Sequence, residues 1–142
     1  MPRHTMVSVN STIPWPADEQ FVEFAGRSIR LVPPRRDASG ELRAYPLAAI
    51  EHVPGDTDAF LTQIIRRFLA AVSWRDQAAI VEVDVSSGAP IRTGTRIPGN
   101  GTTASFDASG LPDPVDDPAR MALAFYAEGL ALTHVHIAYS CL

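Results

Sequence analysis

One long amphipathic segment, residues 57–74, limits what this chain can fold into more than any other feature. Its apolar residues recur as pairs four apart, namely Phe60, Leu61, Ile64, Ile65, Phe68, Leu69 and Val72. At 100° per residue these positions fill one half of an α-helix, while Arg66 and Arg67 point mostly the other way. Asp56 or Thr57 can cap the first N–H groups. Such a helix must bury its apolar half against a sheet or against other helices.

Segments with the alternation of β-strands lie on both sides of this helix. Residues 20–25 and 28–33 alternate around Ala25-Gly26-Arg27, which predicts a β-hairpin. Residues 42–53 form a third strand broken at Pro46, and residues 79–85 predict a strand whose apolar face lies on the helix. The sequence therefore predicts an α+β fold: a small antiparallel sheet packed on one amphipathic helix (about 57–74), followed by a C-terminal helical segment (about 117–142).

Stretches rich in proline and glycine divide the chain into three predicted parts. Residues 1–18 carry three prolines without sustained periodicity and are expected to form an irregular leader. Residues 19–114 form the α+β domain, and their Gly/Ser/Thr/Pro-rich part, 86–114, is expected to be a functional or mobile loop. Residues 115–142 read as the start of a helical domain, with Asp117 as N-cap and Thr133 capping a second helix. Because the chain ends in an uncapped apolar run, we expect a truncated domain or a partner that covers the end.

Composition and charge exclude several classes of protein. The net charge of −4 gives no general attraction to nucleic acid, and no apolar run approaches the roughly 20 residues needed to cross a bilayer. The N-terminal residues have no apolar segment behind them, so a cytoplasmic bacterial protein is expected. Cys141 is the only cysteine, which excludes an intramolecular disulfide and Cys-rich zinc sites. No cofactor is expected.

The histidines give little sign of a metal site. His134 and His136 are the only close pair of metal-ligating side chains, but on a helix they stand about 200° apart and cannot chelate one ion. His4 and His52 are isolated in the sequence. A metal site is therefore disfavoured.

Two groups of charged residues remain as candidates. Arg27, Arg30, Arg35 and Arg36 flank Pro33-Pro34 and form a weak candidate site for an anionic partner on a solvated outer face. Glu82 and Asp84 share one face of their strand, an ordinary exposed pattern that can also perform acid/base chemistry. Nothing in the sequence pairs a nucleophile with a base, so no catalytic residue is assigned.

Two stretches resemble a known family. Residues 64–74 (IIRRFLAAVSW), followed by a strand and by residues 86–92 (SSGAPIR), are similar to the bacterial family of methylamine utilisation protein MauJ. Residues 120–130 (RMALAFYAEGL) resemble the opening of the same proteins' helical part and of HEPN-type helical domains. The resemblance implies a β-rich α+β module leading into a helical domain. The Arg-x4–6-His motif of HEPN nucleases is absent from residues 116–142, so no catalytic residue is carried over.

Three functions compete. The first is a non-catalytic binding or regulatory module that precedes a helical effector domain. The alternative is the N-terminal part of a HEPN-like ribonuclease or RNA-binding protein whose active site lies beyond Leu142. A small hydrolase using the 86–114 loop ranks last, because no nucleophile, base and orienting group converge there. Uncovered apolar residues of the C-terminal helices predict self-association or a partner protein; they are Met121, Phe125, Leu130, Ile137, Tyr139 and Leu142.

Overall fold

The computed structural model describes residues 3–88, 102–103, 105–114 and 116–140; for residues 88, 102–103 and 133–140 only the backbone is described. The described elements, in chain order, are β1 (His4–Ser11), β2 (Trp15–Pro16), β3 (Gln20–Phe24), β4 (Arg27–Val32), β5 (Arg35–Arg36), β6 (Leu42–Ala44), β7 (Leu47–Glu51), α1 (Asp58–Asp76), β8 (Ile80–Gly88), β9 (Thr102–Thr103) and α2 (Asp117–Ser140). The prediction of an α+β fold is confirmed.

A five-stranded antiparallel sheet with the order β3-β4-β7-β1-β8 is the centre of the structure. Strand β1 pairs with β7 on one side and with β8 on the other. The expectation of an irregular leader over residues 1–18 is therefore wrong for β1. Thr5, Val7 and Val9 are fully buried at alternate positions, which is the pattern of an inner strand with one face in the core.

The predicted hairpin is confirmed as β3 and β4, joined by the two residues Ala25 and Gly26. Both residues have positive φ, 53° and 74°, which is the backbone of a type I′ turn. This turn matches the right-handed twist of the two strands. Glycine adopts such a φ without strain, whereas alanine does not. The turn type therefore fits the twist of the two strands, but Ala25 is strained in the conformation that the turn requires.

Helix α1 lies on one face of the sheet and confirms the amphipathic segment. Thr57 is its N-cap, and the Thr57 hydroxyl accepts a hydrogen bond from the Phe60 amide at 3.1 Å. Phe68 packs edge-on against Phe24 of β3 and against Phe106, with ring centroids 5.6 and 5.9 Å apart. The core forms between the helix and the sheet because each supplies one apolar face. Phe60 lies outside this core, since half of its surface is exposed.

A β-bulge in β8 changes the faces on which its side chains lie. Glu82 lies opposite Val9 of β1 and Asp84 lies opposite Ser8, with a shift in register between the two pairs. Directly opposed residues share a face, and successive residues of β1 alternate, so Glu82 and Asp84 lie on opposite faces. The prediction that they share one face is therefore wrong. The bulge adds one residue, Val83, and only the pairing with β1 reveals it.

The apolar face predicted for this strand is buried only in part. Ile80 belongs to the core, but Val83 and Val85 are 45% and 39% exposed. Every residue from 82 to 87 is exposed, because β8 is the last strand of the sheet. The alternation of apolar and polar residues correctly predicts a strand here. The extent to which its side chains are buried depends instead on the position of β8 at the edge of the sheet.

Helix α2 is a single helix and packs on α1. The Asp116 carboxylate accepts a hydrogen bond from the Ala119 amide at 2.8 Å, so Asp116 rather than Asp117 caps the helix. The helix continues through Thr133 to Ser140, so the prediction of a second helix beginning there is wrong. Trp74 of α1 meets Tyr126 edge-on at 5.0 Å, and the Tyr126 hydroxyl donates to the Gln77 side chain.

The segment that links β8 to α2 is fixed to the sheet at Phe106. The Gln20 side chain donates to the Phe106 carbonyl and accepts from the Phe106 amide, both at 2.7 Å, as a neighbouring strand would. The Arg75 guanidinium stacks on the Phe106 ring at 5.3 Å and donates to the Ser109 carbonyl. Residues 89–101 and 104 of the predicted functional or mobile loop at 86–114 lie outside the described residues.

The turn between β3 and β4 gives a prediction for stability. We expect Ala25→Asn to raise the free energy of unfolding by about 0.5–1 kcal/mol, because asparagine tolerates a positive φ better than alanine does. Gly26→Ala, at φ 74°, should lower it by about 1 kcal/mol. Urea unfolding followed by circular dichroism measures both changes. A destabilised Ala25→Asn protein would show that the turn does not have this geometry.

Candidate functional site

A cleft of about 540 Å³ lies between α1, α2 and the edge strand β8. Its volume is within the range of small-molecule sites in proteins. Most of its lining is apolar and small, and three exposed charged residues border it. The lining residues are Arg66, Leu69, Ala70 and Ser73 of α1, Ile80 and Glu82 of β8, and Ala124, Ala127, Glu128 and Ala131 of α2.

The charged border of the cleft is organised around one ion pair. The Arg66 guanidinium donates two hydrogen bonds to the Glu82 carboxylate, at 2.7 and 3.1 Å. The hydrogen bond with Glu82 and the charge of that carboxylate raise the pKa of Arg66, while its partial burial acts in the opposite direction. Glu128 contributes a second carboxylate from α2. The border therefore carries an excess of negative charge over an apolar interior.

A second groove, of about 390 Å³, lies on the other side of the contact between the helices. Trp74 of α1 and Leu123 of α2 line it together with prolines and alanines. None of its lining residues is charged, so it lacks a charged group that could orient a polar group of a ligand. The larger cleft combines an apolar interior with converging polar groups and is therefore the better candidate for a binding site.

Strand β1, the residue after β7 and the start of α1 meet in a polar cluster. The Thr5 hydroxyl donates to one oxygen of the Asp58 carboxylate at 2.7 Å, and Arg3 donates to the other at 2.7 Å. The His52 Nε2 atom lies 2.7 Å from the Thr5 hydroxyl and 3.0 Å from Asp58. The Thr5 hydrogen bond, followed by the charges of Arg3 and His52, lowers the pKa of Asp58. His52 is therefore not isolated, although the sequence alone suggested so.

This cluster contains a hydroxyl, an imidazole and a carboxylate, but it does not have the geometry of a catalytic triad. In a triad the carboxylate holds the ring nitrogen that faces away from the hydroxyl, whereas both groups here contact Nε2. The carboxylate can only accept, so the Thr5 proton is directed to Asp58 and Nε2 must donate to Thr5. Thr5 is also fully buried. The cluster therefore joins β1, β7 and α1 and does not activate a nucleophile.

Asp56 joins the hairpin to the loop before α1. Its carboxylate accepts two hydrogen bonds from Arg27, at 2.6 and 2.8 Å, and one from the Val53 amide at 2.9 Å. The Arg27 hydrogen bonds, and then the Val53 hydrogen bond, lower the pKa of Asp56 from 3.8 to about 2. The same pairing raises the pKa of Arg27, whose guanidinium also lies over the Phe60 ring at 5.8 Å.

The structure does not gather the four arginines of the predicted basic cluster into one site. Arg27 is bound to Asp56 and Arg30 to Glu19, while Arg36 donates to the Gly40 carbonyl at 3.0 Å. Arg35 is exposed on the small ribbon formed by β5 and β6. Most of the cationic groups are thus engaged within the chain, and a site for an anionic partner stays a prediction.

The C-terminal candidates lie on α2 or beyond it. Met121 and Phe125 are 58% and 64% exposed, whereas Leu130 is partly buried. Ile137 and Tyr139 belong to α2, but their side chains lie outside the described part of the chain, as do those of His134 and His136. Leu142 lies outside the described residues. The backbone positions of His134 and His136 are helical, which places them about 200° apart around the axis.

Comparison of the chain with known protein families, with characterised proteins and with solved structures finds no match. The resemblance to the MauJ family and to HEPN-type domains therefore stays a prediction.

Two searches of the described residues complete the description of possible sites. None of their helices is both long enough and apolar enough to span a membrane. Within the same residues, no group of three His, Cys, Asp or Glu side chains is placed to hold a metal ion.

Asp56 gives a prediction about acid stability. The pKa of Asp56 in the folded chain is lower than its ordinary value, so the ionised form stabilises the fold above about pH 4, and this contribution is lost as the pH falls towards 2. We expect Asp56→Asn to melt at a lower temperature than the parent chain at pH 7, with a difference that shrinks below pH 4. Arg27→Met should behave in the same way, because it removes the cation that lowers the pKa. An Asp56→Asn difference of equal size at pH 2.5 and pH 7 would contradict the assignment.

The exposed side of α2 gives a prediction about association. Met121, Phe125 and Leu132 are all more than half exposed, and apolar patches of this kind favour association. We expect the sedimentation coefficient of the chain to rise with concentration, and Met121→Ser with Phe125→Ser to remove this rise. Phe21→Ser is the matched control, since Phe21 is equally exposed, at 65%, but lies on β3. A parent chain that stays monomeric, or an equal effect of the control, would contradict the prediction.

Proposed function

We propose that this chain is a non-catalytic binding or regulatory module whose ligand site is the cleft between α1, α2 and β8. The observation that carries the proposal is the cleft itself, about 540 Å³ of mostly apolar lining bordered by an oriented ion pair. A ligand with an apolar body and a polar end would bury the first and place the second at the border. Helix α2 would then transmit the binding event to a helical effector domain.

The chemistry of the described residues supports binding rather than catalysis. The hydroxyl of Thr5 and the carboxylate of Asp58 are bound to each other, and Thr5 is buried. Glu82, an acid that borders the cleft, is bound to Arg66. Glu128, the second acid at the border, forms no ion pair with the described residues, but no hydrogen bond among these residues joins it to a nucleophile or to an orienting group, which a catalytic site requires. The cleft instead offers shape and an oriented charge pair, which are the requirements of recognition.

The position of α2 supports a regulatory role. One side of α2 lines the cleft through Ala124, Ala127 and Ala131, and its Met121 and Phe125 are exposed. An occupant of the cleft would therefore contact the same helix that a partner domain would cover. A ligand can change the position of α2 only if it binds the cleft more tightly in one position of the helix than in another. The contacts of Tyr126 with Trp74 and Gln77 are those that a shift would change.

The alternative, the N-terminal part of a HEPN-like ribonuclease or RNA-binding protein, has less support. Binding of nucleic acid depends largely on cationic side chains that neutralise phosphates. Among the described residues, Arg27, Arg30, Arg66 and Arg67 each form an ion pair with an acidic side chain. Few of the cations in the described part of the chain are thus left to neutralise phosphates. The ligand of the module is better sought among apolar and cationic compounds.

Nile red, a neutral apolar fluorophore, tests whether the cleft binds. We expect saturable fluorescence enhancement with the parent chain, and at least about a tenfold weaker apparent affinity with Ala127→Phe, because the larger side chain occupies the cleft. Ala59→Phe is the control, since it makes the same change at an exposed position of α1 that does not line the cleft. Thermal melting checks that both variants are folded. Equal binding by all three proteins would locate the dye elsewhere and overturn the proposal.

A further inference from the structure

The outer edge of β8 is open in the described part of the chain. Strand β8 is the last strand of the sheet, and no described strand pairs with its other side. All six residues from 82 to 87 are exposed, on both faces of the sheet. Six residues span about 20 Å, the length of an average strand. An edge of this kind presents unpaired N–H and C=O groups, which are a template for another strand.

The cleft adjoins this open edge. Strand β8 contributes Ile80 and Glu82 to the lining, and α2 forms the opposite wall. A strand added beside β8 would direct alternate side chains to the two faces of the sheet. Those on the face of α1 would enter the cleft under Ala127 and Ala131 of α2. Those on the other face would lie beside Asp84.

The charges around the edge favour a basic partner. Asp84 forms no ion pair with the described residues, and neither does Glu128, whereas Glu82 shares its charge with Arg66. Among the described residues, Asp84 is thus a carboxylate without an ion-pair partner on the face away from α1, while Glu82, Glu128 and Arg66 together leave one net negative charge at the border of the cleft. Opposite charges on adjacent strands stabilise their pairing and like charges oppose it. A second copy of β8 would bring acidic residues towards acidic residues, so the charges disfavour it as the occupant.

We infer that β8 and the adjoining cleft bind an extended peptide segment by strand addition, with apolar residues facing the cleft and Lys or Arg residues facing Asp84. The inference rests on the proposed function, because it assigns a class of ligand to the same cleft. Hydrogen bonds between backbones give such complexes their affinity, and pockets for alternate side chains give them specificity. The β-bulge at Val83 separates the cleft-lining residues Ile80 and Glu82 from residues 84–88, which are in regular register with β1, so a peptide of about seven residues covers part of both stretches.

A short synthetic peptide tests the inference. The probe is acetyl-Lys-Val-Lys-Val-Lys-Val-Lys-amide, whose valines and lysines lie on opposite faces when it is extended, and binding is measured by calorimetry. We expect saturable binding at one site per chain. The same peptide with Glu in place of Lys should not bind, because its charges oppose Asp84. The Lys peptide with N-methyl groups on alternate residues should not bind either, because strand pairing needs its amide protons. Equal binding of the N-methylated peptide would overturn strand addition.

Variants of the protein locate the site. Asp84→Lys should weaken binding of the Lys peptide by about tenfold, since it replaces an attraction with a repulsion. Glu23→Lys makes the same change of charge at an exposed position of β3, the opposite edge strand, and should leave the affinity unchanged. An equal loss with both variants would show that the peptide responds to net charge alone and would overturn the inference.

The cleft variant separates this inference from the proposed function. If Ala127→Phe weakens both Nile red and the peptide, the two ligands share the cleft, as we expect. If Nile red binds in the cleft while the peptide does not bind, the inference fails and the proposed function stands. If neither ligand responds to Ala127→Phe, both fail.

Discussion

The burial of one face of α1 on one face of the sheet is the contact on which the rest of the structure depends. Phe68 is at its centre, between rings from β3 and from the segment after β9. A helix and a sheet each expose an apolar face that only another element can cover, so this contact fixes both. The remaining side of α1 then supports α2, which also contacts β8, and the cleft lies between these two helices and the edge strand.

The elements that local patterns define were predictable, and those that depend on distant pairing were not. Helix α1, the hairpin and β8 each carry their periodicity within a few residues. Strand β1 also alternates, but the polar residues Thr5 and Ser8 and the nearby prolines make the alternation hard to recognise in the sequence. Its pairing with β7 and β8 shows that it is a strand. The β-bulge at Val83 exists only relative to β1. For that reason the sequence suggested one shared face for Glu82 and Asp84 where the sheet has two.

The candidate site was hidden in the sequence for a related reason. The cleft is lined mostly by alanines, which carry no chemical signature, and its parts come from three elements separated along the chain. The cluster of Thr5, His52 and Asp58 likewise joins residues about fifty positions apart. The sequence offered one modest signal: Asp58 and His52 lie at and shortly before the start of the amphipathic helix, where carboxylates are favoured. The partner of that carboxylate, Thr5, could be found only once β1 was placed.

The cleft and the open edge are most simply explained together. Larger apolar residues at Ala124, Ala127 or Ala131 would fill the gap, and each buried methylene group would add about 0.8 kcal/mol to stability. A lysine or a proline on β8 would protect its edge, as in many sheets. Selection leaves some destabilising features in place, so marginal stability is a sufficient explanation for the unfilled cleft alone or for the unprotected edge alone. The cleft and the open edge lie on the same side of the molecule, and acidic residues surround both. A basic extended segment that fills the cleft and adds a strand to the sheet would explain the two features together.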